Sequence, residues 1–410
     1  MEDASFRNGS LAFDSNHKFP NDHGKARTFT ESGTIELDSA FSEDLGSNQR
    51  TCVTCHDPGA GWTITPALVQ ELFADSYGLD PIFRTNDGSN SPNADVSTED
   101  ARYDAYRLLL ERAVIRVGMP IPAGAEFELV AVDDPYGFAS ANELSLFRRP
   151  LPSSNLPFQR TVMWDGRVAA ASLAEALSDQ ANGATLGHAQ ALAPLSDAER
   201  SEIVDFEIGL FHAQHKDTVA GQLDKHGGLG GPDHLGGVTG EAGEFALYSA
   251  WLDLHVNPEA DSAERREARK SIARGEVLFN TKLRSNGGGT CRACHSVKDV
   301  GNNANGTFFD VGVSAGSRRA PEVPLYTLRN LATGEERTTT DPGRALVTGL
   351  WANVDRFKTP ALRGLAARAP YFHDGSAESL LDVIRHYEEA LLFDFDEQEE
   401  ADLVAFMAAL

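Results

Sequence analysis

The sequence predicts a mainly α-helical protein of two domains, with small β elements in the first domain. The chain has 410 residues, which is long enough for two or three hydrophobic cores. Apolar residues recur at helical spacing in segments on both sides of its middle. A stretch at 224–244 rich in Gly, His and Asp lies between them. We therefore expect an N-terminal domain at 1–240 and a C-terminal domain at 241–410.

In the first domain, four segments have helical patterns, and the segment 125–134 alternates as a short strand does. Ser196 stands where an N-cap is expected, at the start of the fourth helical segment. The four helical segments are 61–78, 98–118, 172–180 and 196–214.

In the second domain, helices are predicted at 263–279, before a glycine-rich loop, and at 378–392. The chain closes with a third helix, for which Asp396 and Glu399 form a capping box. We expect this terminal helix to pack across the helix at 263–279. Its apolar face consists of Leu403, Phe406, Met407 and Leu410.

The net charge of −25 excludes nucleic acid as a partner, because binding to a polyanion relies on Lys and Arg. Such charge suits a partner with a basic docking face, such as a small redox protein, although it also serves solubility alone. No run approaches the roughly 18 apolar residues that span a bilayer, so no membrane insertion is expected.

All four cysteines lie in two CxxCH motifs, CVTCH at 52–56 and CRACH at 291–295. Cysteine pairs of this kind also occur as disulfides, thiol redox sites or halves of a zinc site. The histidine that follows each pair favours covalent haem, because the two thiols add to the haem vinyl groups and the imidazole becomes the proximal iron ligand. We expect two covalently bound haem c groups, one in each of two cytochrome c-like domains. Their attachment residues are Cys52, Cys55, His56, Cys291, Cys294 and His295.

The motifs also predict where the protein resides. Haem is attached to CxxCH motifs outside the cytoplasm, which predicts a periplasmic protein. The N-terminal sequence MEDASFRNGSLAF lacks the basic and then apolar pattern of a signal peptide. We therefore interpret Met1 as standing where a signal peptide has been removed.

The sixth iron position decides between electron transfer and chemistry with peroxide or oxygen. No histidine occurs between His56 and His188, so we expect the first haem to be open to substrate. Methionine occurs only at positions 1, 119, 163 and 407, and Met407 fits the apolar face of the terminal helix. For the second haem, Tyr387 is either a core tyrosine or the missing ligand. The residues alone leave this choice open.

The order CVTCH, VMWDGR (162–167), CRACH and FKTPALRGLAARAPYFHDGS (357–376) resembles the bacterial di-haem cytochrome c peroxidase and MauG superfamily. The resemblance extends over about residues 40–410. It implies that Trp164 lies between the two haems and helps electrons to pass, whereas a structural tryptophan is the alternative. It also implies that Tyr387, fourteen residues after His373, is the distal ligand of the second haem, as in MauG-like oxidases. His373 is then expected near the propionates or the tyrosine ligand.

The chain departs from the family in the distal pocket of the first haem. The family places a Gln and a Glu ten and twenty residues after the tryptophan, where this chain has Ala174 and Ala184. The polar candidates that remain are Gln180, His188 and Gln190. Cleavage of peroxide needs a general base, and imidazole has an unperturbed pKa of about 6.5, so His188 is preferred. A helix-capping or surface histidine is the alternative.

The resemblance further implies a possible calcium ion between the haems. We expect it to be bound by Asn86 and the backbone carbonyls of Arg368 and Pro370. The alternative is that the sequence NDG at 86–88 simply forms a turn.

These implications predict an oxidoreductase. Hydrogen peroxide reacts at the N-terminal haem, and the oxidising equivalents are shared with the C-terminal haem through Trp164. Electrons return from a small redox protein (a cytochrome c or a cupredoxin) or from a protein substrate, as in MauG. The alternative is a di-haem electron-transfer cytochrome without peroxide chemistry, which needs a distal ligand on the first haem such as His188 or Met119. A haem-based sensor is a third possibility, for which the sequence contains no signalling module.

Overall fold

The computed structural model describes residues 12–253 and 261–410, so Met1 and His255 lie outside the described residues. The chain is 32% helical and 18% strand. The prediction of a mainly α protein is therefore wrong. Within the described ranges, nine helices alternate with thirteen short antiparallel strands that form several small sheets.

The predicted helices are present, with shifted ends, and the N-cap at Ser196 and the capping box at Asp396 are confirmed. The predicted helix at 98–118 is broken into α2 and α3 and then gives way to a strand. The helices are α1 Pro66–Ser76, α2 Glu99–Ala105, α3 Arg107–Arg112, α4 Leu173–Gly187, α5 Asp197–Ile208, α6 Ala263–Thr281, α7 Ala345–Thr348, α8 Leu380–Leu391 and α9 Glu397–Ala408.

The strands are two to seven residues long, and the sequence pattern predicts only the one at 125–134. They are β1 Ala12–Asp14, β2 Lys18–Asn21, β3 Gly24–Phe29, β4 Thr34–Glu36, β5 Ile115–Met119, β6 Phe127–Asp133, β7 Leu144–Arg148, β8 Phe211–Asp217, β9 Gly221–Gln222, β10 Phe308–Phe309, β11 Leu325–Asn330, β12 Glu336–Thr339 and β13 Phe357–Lys358. The sheets have the orders β2-β3-β8-β9, β12-β11-β6, β1-β4, β5-β7 and β10-β13.

The sequence pattern misses most of the strands because they are short and pair with distant segments. Ala113 has a positive φ of 51° and ends α3, so the residues from Ile115 onward pair with β7 instead of continuing the helix. Similarly, the end of the segment predicted as a helix at 196–214 forms β8, which pairs with β3. When a few alternating residues lie next to a helical pattern, the sequence alone favours a longer helix. The strand can be recognised only when its pairing partner is known.

Helices α6 and α9 cross closely, as predicted for the terminal helix. Gly275 makes this crossing possible, because any side chain there would collide with the backbone of Asp402. The rings of Phe279 and Phe406 meet beside it, with 5.5 Å between their centroids. This pair belongs to the largest buried apolar cluster, which also lies behind the second CxxCH motif.

Strands from both sides of residue 240 share the sheet β12-β11-β6, and the domain division at that residue stays a prediction. In residues 12–253 and 261–410, no helix combines the length and the apolar character needed to cross a membrane.

Candidate functional site

Both CxxCH motifs adopt the same local structure, a single 3-10 turn at Cys52–Thr54 and at Cys291–Ala293. In each turn, the backbone N–H of the histidine donates to the carbonyl of the first cysteine, at 3.0 Å for His56 and 3.1 Å for His295. The four thiols form no disulfide. Each turn presents its two thiols and its imidazole to one cavity, and the two motifs line different cavities.

The two motif histidines are oriented in the same way. Nδ1 of His56 lies 3.0 Å from the carbonyl oxygen of Trp62, and Nδ1 of His295 lies 2.5 Å from that of Gly301. A carbonyl only accepts, so Nδ1 carries the proton and the lone pair of Nε2 is free. Burial lowers the pKa of both imidazoles to about 4, which keeps them neutral. Histidines that bind metals are held in this way.

The first cavity contains about 1630 Å³ of space not filled by protein, and the second about 1510 Å³, both partly open to solvent. The cavities are neighbours, because one group of residues lines both of them. The shared residues are Arg149, Pro150, Leu151, Pro152, Trp164, Lys358, Pro360 and Arg368.

Buried cations line these cavities. Arg149, Lys358, Arg363 and Arg368 are each 9% exposed or less, and none forms an ion pair with a carboxylate of the described residues. Burial lowers the pKa of Arg149 to about 9 and that of Lys358 to about 7. Buried charges without a counter-charge are costly. Each haem carries two propionates, so these cations, the thiols and the oriented histidines fit a haem c at each cavity.

Trp164 stands in the shared wall, where the resemblance places it. Its Nε1 donates to the carbonyl of Arg149 at 2.8 Å, and its carbonyl accepts from the backbone N–H of Lys358 at 2.9 Å. Its ring lies 6.3 Å from that of His373, which is buried, lines the second cavity and stacks on Phe357 at 4.0 Å. Trp164 therefore contacts both cavities and is held by main-chain bonds.

His188 lies at the C-terminal end of α4 and lines the first cavity. Its Nδ1 is 2.5 Å from Oδ2 of Asp87, and the other oxygen of Asp87 is paired with Arg50. Burial alone would raise the pKa of Asp87. The hydrogen bond to His188 and the charge of Arg50 together outweigh this effect, so the pKa lies below its ordinary value. Sequence reasoning missed Asp87 because its partner lies 101 residues away, and nothing local in the sequence indicates it.

The other polar candidates have different positions. Gln180 lines the first cavity, whereas Gln190 is not among its described lining residues and accepts from Asn48 through Oε1 at 3.3 Å. Glu207, which sequence reasoning missed, lines this cavity and is 6% exposed. Burial raises its pKa to about 8, and its Oε2 has no hydrogen-bond partner among the described residues.

The positions of the methionines bear on the alternative of an electron carrier, for which Met119 is a candidate ligand of the first haem. Met163 lines the first cavity, whereas Met119 lies in β5 and is not among the described residues that line either cavity. Met407 lines the second cavity but belongs to the apolar cluster of the terminal helix.

Tyr387 lies on α8 and lines the second cavity together with His295. Its ring meets that of Phe372 edge to face, with 5.8 Å between the centroids. Burial raises the pKa of its hydroxyl, and no hydrogen bond to the described residues engages that hydroxyl. By contrast, the hydroxyl of Tyr371 donates to the carbonyl of Leu365 at 3.1 Å. Tyr387 thus offers the second cavity an oxygen that no described residue engages.

The proposed calcium ligands fit a cation only in part. Oδ1 of Asn86 is buried and accepts no hydrogen bond from the described residues, as a free ligand would. However, the carbonyl of Arg368 already accepts from Nη2 of Arg149 at 3.1 Å. Pro370 follows a cis peptide bond and lines the second cavity. No group of three or more His, Cys, Asp or Glu side chains suited to a metal occurs in the described residues, and the calcium site stays a prediction.

Comparisons with known proteins agree with the motif order, although no family model matches the chain. It is 31% identical over 154 residues to the methylamine utilization protein MauG of Methylophilus methylotrophus, covering 34% of this chain and 37% of that protein. It is 25% identical over 279 residues to the cytochrome-c peroxidase IdrP2 of Denitromonas iodatirespirans, covering 64% and 68%.

The chain thus spans just over a third of the length of that MauG. A solved MauG-like protein associated with microbial copper homeostasis matches with a TM-score of 0.43 and 17% identity, over 90% of this chain and 85% of that one. By its sequence similarities and the order of its motifs, the chain resembles the superfamily of bacterial di-haem cytochrome c peroxidases and MauG.

Proposed function

We propose that this protein is a periplasmic oxidoreductase that carries one haem c in each cavity, reacts with hydrogen peroxide in the first and shares the oxidising equivalents with the second. One observation carries the proposal. The two cavities share a wall that contains Trp164. The first presents His188, whose Nδ1 lies 2.5 Å from a carboxylate oxygen of Asp87, whereas the second presents the hydroxyl of Tyr387, which no described residue engages.

In the first cavity, Cys52, Cys55 and His56 would hold a haem c, which would supply a redox-active iron for the reaction with peroxide. Nε2 of His188 takes a proton from one peroxide oxygen and returns it to the other, which leaves as water. Over the whole reaction, one peroxide, two protons and two electrons give two waters. Gln180 lines the same cavity and provides a further polar contact.

In the second cavity, Cys291, Cys294 and His295 would hold a haem c, and the hydroxyl oxygen of Tyr387, which no described residue engages, would be a further protein ligand. An anionic oxygen donor favours the oxidised states of iron, so this site stores oxidising equivalents. The apolar side chains of α8, such as Ile384 and Val383, line the cavity with Tyr387. This apolar lining is suited to electron exchange.

Between the cavities, the ring of Trp164 provides the path for electrons. The buried cations Arg149, Lys358 and Arg368 line both cavities and form no ion pair with a described carboxylate. The propionates of the two haems would be their counter-charges. The wall therefore both anchors the haems and connects them.

The two electrons come from a small redox protein or from a protein side chain that is oxidised. The net charge of −25 supports a donor with a basic docking face, such as a cytochrome c or a cupredoxin. The relative named cytochrome-c peroxidase supports a small redox protein as the electron source, and the relative named MauG supports an oxidised protein side chain equally well. The half-reaction with peroxide is the same in both.

The test is the spin state of the resting ferric protein, followed by addition of stoichiometric peroxide. Electron paramagnetic resonance should show one high-spin haem and one low-spin haem, and peroxide should change the absorption of both. Two low-spin haems, with Met163 or His188 as the extra ligand of the first, would identify an electron carrier instead. Rapid oxidation of reduced cytochrome c or cupredoxin by peroxide would then identify the peroxidase outcome.

A further inference from the structure

A chain of three charged or titratable side chains ends at the first cavity. Arg50 pairs with Oδ1 of Asp87, and Oδ2 of Asp87 contacts Nδ1 of His188 at 2.5 Å. Asp87 is 5% exposed, and Arg50 is 4% exposed. His188, whose side chain is 38% exposed, lines the cavity, and so does Arg50. The chain therefore runs from a buried cation, through a buried anion, to an imidazole that meets the ligand space.

The same chain fixes the main chain around the imidazole. The carbonyl of His188 accepts from Nδ2 of Asn48 at 2.8 Å and from Nη1 of Arg50 at 3.2 Å. Arg50 is also bonded through Nε to the carbonyl of Pro81 at 2.8 Å and through Nη2 to that of Ile82 at 2.6 Å. Arg50 is two residues before Cys52, so the C-terminal end of α4 is tied to the segment that attaches the first haem.

We infer that Asp87 is a positioning residue that keeps a proton on Nδ1 of His188 and so leaves Nε2 as the proton acceptor of the first cavity. A carboxylate accepts only, so the ring nitrogen that faces it must donate. Neutral imidazole carries one proton, and with that proton on Nδ1 the lone pair lies on Nε2. Arg50 pairs with the other oxygen of Asp87, so Oδ2 remains directed at His188. Because this role rests on the proposed function, the test must separate the two.

The variant Asp87→Asn reverses this arrangement at nearly constant size. Its single amide oxygen is the acceptor that the Arg50 guanidinium requires, so the amide NH₂ group turns toward His188. This group donates to Nδ1, the ring proton moves to Nε2, and the lone pair no longer faces the cavity. A tautomer reversed in this way disables a general base without removing it.

Cyanide is a probe of this proton acceptor that requires no turnover. Hydrogen cyanide loses its proton when it binds ferric haem, so its association rate depends on a base in the cavity. By stopped flow, we expect His188→Leu to slow cyanide association by about 100-fold or more and Asp87→Asn to slow it by about 10- to 100-fold. The initial reaction with peroxide should slow by similar factors. Asp87→Ser serves the same test should Asp87→Asn fail to fold.

Two controls separate positioning from a structural role. Asp104→Asn makes the same change at an exposed carboxylate paired with Arg107, and its rates should equal those of the wild type. In a His188→Leu background, Asp87→Asn should cause no further loss, because its effect acts through the imidazole.

The results of these experiments distinguish failure of the proposed function from failure of the role of Asp87. Wild-type protein that reacts with neither cyanide nor peroxide overturns the proposed function and this role with it. Wild-type protein that reacts with both, while Asp87→Asn reacts at the same rates, overturns only the role of Asp87. That role alone is also overturned if Asp87→Asn remains slower than its parent in the His188→Leu background.

Discussion

The first and second cavities begin from the same local structure and differ in what faces it. Both motifs form one 3-10 turn, and both histidines place Nδ1 against a carbonyl six residues later. The first cavity is lined by titratable side chains in addition to its motif, among them His188 and Glu207. Beside the second lie the apolar side chains of α8 and Tyr387.

This difference shows that the same motif turn can lie in different surroundings. A contiguous five-residue motif forms the turn and orients its histidine in the same way in both halves. In the proposed function, substrate access and proton transfer depend on the rest of the cavity lining, which is built from other parts of the chain. The following predictions test this division of roles, from the largest expected effect to the smallest.

The second cavity should be most sensitive at Tyr387. Tyr387→Met replaces an anionic oxygen with a neutral sulfur, which favours reduced iron, so the midpoint potential of this haem should rise by on the order of 100 mV or more. Spectroelectrochemical titration measures the change. Tyr371→Phe is the matched control, because that hydroxyl also lies near the second cavity but bonds to a carbonyl. Equal potentials in wild type and Tyr387→Met would show that Tyr387 is a core residue.

The shared wall should be the next most sensitive. Trp164→Phe keeps an apolar ring but removes the indole and its bond to Arg149, so we expect electron exchange between the cavities to slow by about tenfold, which is about 1.4 kcal/mol in the barrier. Rapid mixing with peroxide measures the delay between the spectral changes of the two haems. Trp351→Phe, in a buried cluster away from both cavities, is the control. An unchanged delay would make Trp164 purely structural.

The buried acid of the first cavity should give a pH dependence of stability. Burial raises the pKa of Glu207 from an ordinary value of 4.5 to about 8, so between these values the folded protein keeps a proton that the unfolded chain has lost. Stability is therefore lost as the pH rises through this window. Glu207→Gln should remove that loss, which amounts to a few kcal/mol at most.

Thermal unfolding of wild type and Glu207→Gln across this pH window tests the prediction. Glu199→Gln, at an exposed carboxylate, should follow the wild-type curve. Parallel curves for wild type and Glu207→Gln would show that this carboxyl is solvated in the protein.

Removal of calcium should have the smallest effect. The guanidinium of Arg149 donates to the carbonyls of Ile64, Arg112 and Arg368, and so places a permanent positive charge between the cavities. We expect dialysis against a chelator to leave the absorption spectrum and the peroxide reaction unchanged. Loss of the reaction after dialysis, with recovery on addition of calcium, would instead establish a calcium site that uses the free oxygen of Asn86.

Several features of the fold and the site could be predicted because they depend on neighbours in the chain. The capping boxes at Ser196 and Asp396 are contacts between residues three apart, and the CxxCH turns are closed by bonds within the motif. Helix α9 could be recognised because its apolar face repeats at helical spacing. Most strands could not be predicted, because they depend on distant partners. For example, β8 is stabilised by pairing with β3, almost two hundred residues earlier.

The sequence by itself determined how the chain can attach haem, since the thiols, the imidazole and the turn that presents them lie within five residues. Only the tertiary structure decided what meets each attached group: that Asp87 reaches His188, that Glu207 is buried beside the first motif, and that Arg149 lies between the cavities. Interactions within one turn depend on local geometry, which five residues can specify. Contacts between distant segments depend on how the whole chain packs, and no short pattern encodes them.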